Sequence, residues 1–494
     1  MIMTLDYDLG GLAAAPGLSK RDSSIVAELV RVLDYHRARN MKLRAYYGGD
    51  IMLKNIGIAV PDTSYAIVAR DVKAHCDWPA IAVDRLAERS MFDGFTFAGA
   101  DPRGVESFQA LAAKCEIAEK YRMMLPMMQV YGCEFWTVGR ADGDLSGVVV
   151  RTHTAMSASA IWDGSKNRIM AGLAVVGTDW TDDFTRAVVT KVDVHLEDAV
   201  IEFSRTADDR GAWTAVRRPH SMGRPMMEPF CFNANDEWRF GQSRISKQVQ
   251  AIADSMMRES FRCEVAAELN VLPQKWVAGL TSEQFNEMVS DKFKHSVGAM
   301  LLLTKDDPAD PNPSVGQFPQ VTLQPHIDMK RDLAADFSGI TGIPMSQLGV
   351  THDNPSSAEA IDAAEKPLVT ICERMNQSMA KSLRNVALMM MCVNQGKSFA
   401  SLTDEELSVA AHFKDPSMPS AAAMTDRAIK IASVAQTYTD TEQFWIDVGK
   451  DESERRRIMA DQRRAQARMG AGAILDRNRQ VTDGANDGGG AVQV

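Results

Sequence analysis

Apolar residues recur at helical spacing through much of this chain, and the longest such stripe lies late in it. From residue 357 to 393, Ile361, Leu368, Cys372, Met375, Met379, Leu383, Val386, Met390 and Val393 return at intervals of three, four or seven. That is one continuous face on a rod about 57 Å long at 1.5 Å per residue. Ser356 and Glu359 make an S-x-x-E capping box at its start, the hydroxyl accepting from a first-turn amide while the carboxylate reaches back. Pro367 lies inside the pattern, where it removes an i→i−4 bond and predicts a kink. A segment punctuated by Gly339, Gly342, Pro344, Gly349 and Pro355 leads into it. A long kinked helix fed by such a loop suits assembly or movement better than a catalytic pocket.

The rest of the pattern predicts an α+β chain. A helix over 22–47 puts Ile25, Leu29, Val32, Leu33 and His36 on one side and stops at Gly48-Gly49. Further helices are expected over 79–91 and over 104–124, the latter broken by Pro126. Between 134 and 217 short β-branched runs at 135–138, 148–150, 169–176, 188–194 and 199–203 alternate with turn clusters such as Asp163-Gly164, which predicts an antiparallel meander. A helix over 243–269 carries Ile245, Val249, Ile252 and Met256 on one stripe. Residues 270–324 read as a small α/β insert, with strands at 276–279 and 300–303, a helix over 282–294 and an exposed loop over 306–313. A shorter helix follows over about 326–337. Beyond 396 the chain reads as helical and polar, ending in a low-complexity, disordered tail with Gly484, Gly488, Gly489 and Gly490.

Chemistry-bearing motifs are sparse. The nine histidines are dispersed, with no H-E-x-x-H and no Cys/His ligand spacing. Asp142-Gly143-Asp144 imitates the start of a Ca²⁺ loop, but the twelfth position is His153 in place of the bidentate Glu, so a hairpin turn is the better reading. Met469-Gly470-Ala471-Gly472 follows no strand, and neither G-x-x-x-x-G-K-[ST] nor G-x-S-x-G occurs. The pairs Asp182-Asp183 and Asp208-Asp209 read as solvated turns. No catalytic, cofactor or metal site is predicted. Tyr46-Tyr47 reads as core packing. Arg455, Arg456, Arg457, Arg463, Arg464 and Arg468 form the one dense basic cluster. Asp451, Glu452, Glu454 and Asp461 lie beside it, so a salt-bridged solvated face competes with a DNA or partner contact.

Composition narrows the setting. At 494 residues, 45% hydrophobic and 24% charged, the chain is ordinary globular protein of two to four domains, or one elongated protomer of several modules. Seven scattered cysteines without a C-x-x-C pair point to reduced thiols. The start, MIMTLDYDLGG, lacks a basic region and apolar core, and the longest apolar run, 386–393, is too short to span a bilayer. A soluble intracellular protein is expected, with no membrane contact.

The literal wording goes further than the periodicity. G-I-P-M-S-Q-L-G over 342–349 is followed by N-P-S-S-A-E-A-I over 354–361. Earlier come Tyr46-Tyr47-Gly48-Gly49-Asp50 after a helix, W-P-A-I-A-V-D-R-L over 78–86 ahead of Gly94-Phe95, and F-G-Q-S-R-I over 240–245 opening a helix that precedes Pro273-Gln274. From about residue 25 to 395 this order resembles the portal proteins of tailed bacteriophages, of the siphophage type; the last hundred residues carry no such motif.

The resemblance implies a wing over 1–242, a first stem helix over 243–269, a clip over 270–324 and a second stem helix over 325–343. A tunnel loop over 344–356, a long kinked helix over 357–395 returning to the wing, a helical crown over 396–480 and a tail over 481–494 follow. It also implies a homododecameric ring at one capsid vertex of the virion, assembled in the host cytoplasm. Double-stranded DNA would pass through it without sequence specificity during packaging and ejection. Expected partners are the terminase large subunit, which would carry the ATPase, major capsid and scaffolding proteins, and a head–tail adaptor. The portal itself would not be an enzyme. Clip strands are expected to pair between neighbouring copies. Thr351, His352, Asp353 and Asn354 are the candidates for the tunnel-loop tip, in a stretch expected to have low local stability.

The net charge of −10 fits that picture, because a static DNA binder shows a basic footprint whereas a sliding conduit should not grip phosphate. It equally fits a soluble mixed α/β enzyme, the alternative from another class, or a structural virion protein other than a portal.

Overall fold

In the computed structural model, the described residues are 5–6, 8–51, 74–98, 102–140, 147–180, 187–206, 212–271, 275–283, 300–304, 314–319, 322–350, 358–417, 419, 421–451 and 453–465. A first helix, Lys20–Tyr47, starts where the Ser19 side chain accepts from the Asp22 amide at 3.1 Å. It buries Val26, Leu29 and Leu33 against one face of a six-stranded sheet. Ile25 and Val32, expected on the buried stripe, stay half-exposed because the contact line falls one position later.

That sheet runs Ala158–Asp163, Arg168–Trp180, Ala187–His195, Ala199–Ser204 and Thr214–Pro219, each strand antiparallel to the last, with Leu5–Asp6 parallel beside Ala187–His195. Alternation does the sorting: Val192 and Val194 with Ile201 and Phe203 face the helix, while Lys191, Asp193 and Glu202 point the other way. The predicted meander is therefore only part of the β region. Cys133–Arg140 and Val148–Thr154 leave it for a separate three-stranded sheet, in which Cys133–Arg140 lies between Val148–Thr154 and Met227–Cys231. Met227–Cys231 shows no alternation because all five residues are buried, and it contains Pro229, so pattern reading passes over it.

The single helix expected over 104–124 is two, Pro102–Lys114 and Ile117–Tyr131. Glu116 at φ 55° makes the break, and Pro126 sits inside the second helix. Buried Met124, Leu125, Met128 and Val130 hold that helix through the proline, whose missing bond costs less than the core it would lose.

Lys247–Val271 begins later than the expected 243, since 243–246 are held by a loop described below. Its buried line is Val249, Ala253, Met257 and Phe261, with Ile252 and Met256 half-buried at its flank. It packs on Gln324–Thr341, where His326 Nδ1 lies 2.6 Å from Glu259 Oε1. Between them Lys275–Leu280 pairs parallel with Met300–Thr304 and antiparallel with Ser314–Gln317. These strands pair with one another inside the chain; the helix expected over 282–294 and the loop over 306–313 fall largely or wholly outside the described residues.

The long helix Ala358–Gln395 runs through the larger buried cluster. Every stripe member from Leu368 to Val393 is buried, whereas Ile361 is 50% exposed. Pro367 is inside the helix, and the capping box at Ser356 lies outside the described residues. Each fully buried apolar side chain of the stripe contributes roughly 1.5–3 kcal/mol.

Beyond it the chain is not purely helical. Ala410–Phe413 adds antiparallel to Phe92–Thr96, ahead of the helices Ala421–Val434, Glu442–Asp447 and 453–465. No helix among the described residues is long and apolar enough to cross a membrane.

Candidate functional site

The motifs that stood out in the sequence converge on one junction, where five helices meet at the root of the loop before residue 351. The tyrosine pair supplies two struts. Tyr46 donates to Asp254 and Tyr47 to Asp84, each at 2.9 Å, tying the first helix to Lys247–Val271 and to Trp78–Arg89. Trp78 lies against Phe337, with ring centroids 5.2 Å apart.

F-G-Q-S-R-I is a backbone crossing. Gly241, at φ 74°, lies so close to the carbonyl oxygens of Phe232 and Gly132 that an added Cβ would sit 2.3 and 2.4 Å from them. Gln242 donates its amide to Phe232 O at 2.8 Å, and Arg244 donates its own to Gln129 O at 2.9 Å. Only glycine permits that approach. The crossing aims the Arg244 side chain inward, where Nε donates to Ala82 O at 2.5 Å and Nη2 to Thr341 O at 3.0 Å. Burial pushes the guanidinium down to about 10. No carboxylate among the described residues pairs with it; the carbonyl at the C-terminal end of Gln324–Thr341 meets it, where the helix dipole is negative.

Gly342 ends that helix at φ 73°, and its amide donates to Ser338 O at 2.8 Å. A Cβ there would meet Ile371 at 3.2 Å and Pro367 at 3.4 Å, so the loop root rests directly on the long helix. Ile343 and Leu348 are buried, and Met345–Leu348 forms a 3₁₀ turn. Gln347 Nε2 donates to Glu365 Oε1 at 3.1 Å, while Arg89 donates to Glu365 Oε2 at 2.7 Å and to Pro416 O at 3.1 Å. Of the stretch 346–355 expected to have low stability, 346–350 buries Leu348 and is tied to the long helix through Gln347. Thr351, His352, Asp353 and Asn354 lie outside the described residues.

The basic cluster is dispersed by the fold. Arg455 is buried, not a surface contact: its guanidinium, 6% exposed, meets Asp93, 7% exposed, at 3.0 Å. Burial alone would raise the Asp93 carboxyl, but the His412 hydrogen bond and the Arg455 and Lys414 charges outweigh it and hold it below the usual range. Arg456 donates to Gln109 at 2.8 Å. Arg464 pairs with Asp461 at 3.3 Å on an exposed face it shares with Arg457 and Arg463, and Arg468 is outside the described residues.

Arg455→Ala is expected to release residues 453–465 from the strand Phe92–Thr96 at a local cost of about 3–5 kcal/mol, because Asp93 would be left buried without its strongest cation. Hydrogen exchange should then quicken at least tenfold across 453–465 while the sheet amides barely change. Unchanged protection there would show that the ion pair does not hold the helix.

Pattern reading passed over Arg244, Arg89 and Glu365. Arg244 stands inside a motif, but nothing local separates a buried arginine from a solvated one. Among the described residues no group of three His, Cys, Asp or Glu side chains is placed to hold a metal.

Comparison with known proteins sets this junction in context. Residues 29–466 match the family described as phage portal protein, SPP1 Gp6-like. The portal protein of Mycobacterium phage L5 is 24% identical over 420 residues, covering 83% of this chain and 82% of its own length. That of Mycobacterium phage D29 is 23% identical over 429 residues, covering 84% of each. A chain from the virion of a native gene transfer agent particle aligns over 83% of this chain and 93% of its own at 10% identity, with a TM-score of 0.39, too low to establish a common arrangement. With 438 consecutive positions following one family pattern, this chain belongs to the phage portal protein family.

Proposed function

We propose that the protein works as a closed ring of about twelve copies at one capsid vertex, through which duplex DNA enters during packaging and leaves on ejection. The family match over 29–466 carries this reading, since a portal is the DNA conduit of its particle. The helix pair Lys247–Val271 and Gln324–Thr341 would form the stem, and the strands between them the clip on which the terminase large subunit docks. ATP hydrolysis would belong to that terminase. Major capsid and scaffolding proteins would meet the wing during assembly in the host cytoplasm, and a head–tail adaptor would bind afterwards.

Exposed apolar side chains on several elements, such as Tyr35 at 76% and Val315 at 70%, are surface that head-to-tail contacts in a ring can cover. Light scattering should give a mass near twelve times 54.3 kDa, with a central pore in negative-stain images. A clean monomer at high concentration, with no pore, would refute the reading.

Residues 351–354 would project into the channel from the anchored root at 342–350. They offer hydrogen bonds without a fixed positive charge, and protonation of His352 would add at most one per copy. Asp353→Arg with Asn354→Arg should leave rings intact yet cut the yield of packaged DNA at least tenfold, with partial recovery at higher salt, because two added cations per copy bind the phosphate backbone. Normal packaging by that variant would remove the loop from the mechanism.

A further inference from the structure

The helix pair carries opposite charge on two separate edges. On Gln324–Thr341, Asp328, Asp332 and Asp336 follow at one-turn steps and all are exposed. Asp328 and Asp332 face away from the buried Leu333, Ala334 and Phe337, and Asp336 borders that side at Leu333. On Lys247–Val271, Lys247, Arg258 and Arg262 fall within about a sixth of a turn of one another around the helix. Lys247 is exposed, Arg258 is half-buried, and the Arg262 side chain is 62% exposed. The core line of that helix, Val249, Ala253, Met257 and Phe261, centres about a third of a turn away and borders this edge at Phe261. Asp254 accepts from Tyr46, Arg258 donates to Ser255 at 2.9 Å, and Glu259 is shared between Arg262 at 3.4 Å and His326 at 2.6 Å. Met329 at 44% and Ile340 at 48% exposure flank the acidic row, so that edge is also partly apolar.

From this arrangement we infer that the acidic edge of Gln324–Thr341 docks on the basic edge of Lys247–Val271 in the next copy of this chain. The inference rests on the ring reading and adds the seam through which neighbours recognise each other. A ring is built from heterologous contacts, in which one surface of each copy meets a different surface of the next. Such a contact needs two complementary edges on every protomer, and this helix pair provides them with opposite sign. Opposed potentials set register and suppress wrong pairings more than they add affinity. The exposed Met329 and Ile340 supply the apolar area that ion pairs at a surface lack.

Two charge-reversed chains test the seam. One carries Asp328→Lys, Asp332→Lys and Asp336→Lys, so both its edges are positive. The other carries Lys247→Glu, Arg258→Glu and Arg262→Glu, so both are negative. Ring fraction is read by mass photometry, beside wild type and with protomer melting as the folding control. Each variant alone should lose at least tenfold in ring fraction, and an equimolar mixture should return to within about twofold of wild type as alternating copies. Rings from either variant alone, or a mixture that stays dissociated while both protomers melt normally, would overturn the seam. If a reversed chain melts early, the neutral set Asp328→Asn, Asp332→Asn and Asp336→Asn takes its place. Ring loss rising more steeply with salt in wild type than in that set supports the seam, and equal salt dependence overturns it. Wild type failing to form rings at all would instead remove the ring reading beneath it.

Discussion

Arg244→Ala is expected to lower the unfolding free energy of the protomer by about 3–5 kcal/mol, one of the largest effects open to a single substitution here. Two buried carbonyls, of Ala82 and Thr341, would lose the donors that now reach them at 2.5 and 3.0 Å. An unsatisfied buried acceptor costs roughly 1–3 kcal/mol, and the vacated volume adds a cavity term. Arg244→Met separates the two contributions: it keeps most of the volume and loses only the hydrogen bonds, so about half the loss should remain. Arg244→Lys should recover little, because one ammonium cannot reproduce a planar fork aimed at two carbonyls on different helices. Denaturant titration of the protomer reads all three. The consequence for function follows from position, since Thr341 is the last residue before the loop root and Ala82 lies in the helix behind it. A stability change below 1 kcal/mol for the alanine variant would mean that the junction is held without this residue.

The second large effect is on the pH dependence of stability. His195 is 5% exposed and neither ring nitrogen finds a partner among the described residues. Burial pushes it down to about 3, reinforced by the nearby His153, His220 and Arg151. His153, whose Nε2 lies 3.0 Å from Thr137 Oγ1, is pushed by burial down to about 4. In the unfolded chain both would titrate near 6.5. Between those values the unfolded chain takes up the protons and the folded one does not. Their contribution is therefore present above about pH 6.5 and lost as pH falls towards 4 and then 3.

Glu134 runs the opposite way. Burial pushes its carboxyl up to about 8, and its Oε2 has no partner among the described residues. The folded state keeps its proton where the unfolded state has released it, so stability declines as pH rises from about 4.5 through 8. The three groups together place their maximum near pH 6.5, with a decline on the order of 1.4 kcal/mol per unit on the alkaline side. Glu134→Gln should flatten that alkaline decline and stabilise the protomer by roughly 1–3 kcal/mol at pH 7. Histidine-to-phenylalanine replacement at 195 should soften the acid loss instead. Melting curves from pH 4 to 9 distinguish the outcomes; parallel profiles for wild type and Glu134→Gln would show that this carboxyl does not control the alkaline limb.

These two effects fall on residues whose burial the sequence does not mark, and the contrast with what it does mark is physical. The long helix was readable because its stripe from Leu368 to Val393 meets one continuous buried surface, so periodicity and burial coincide. Ile361 broke the rule because that end of the helix runs beyond the core. The family wording was readable because its glycines answer to backbone contacts: Gly241 between two carbonyls, Gly342 against Pro367. Those are demands on a single position, and a single letter records them.

By itself, then, the amino-acid sequence determined the class of the fold, the main helices and three of the six strands of the larger sheet, and membership in the portal family. Each depends on spacing along the chain or on a local backbone demand. Only the tertiary structure decided which charges are buried. Arg244 and Arg455 became structural because Ala82 and Thr341, or Asp93, arrive from distant parts of the chain. It also decided that Glu116, not Pro126, breaks a helix, since the core around Met124 and Met128 outweighs one lost hydrogen bond. The separate sheet containing Met227–Cys231 was likewise settled in three dimensions, because a strand buried on both faces has no polar alternation to announce it.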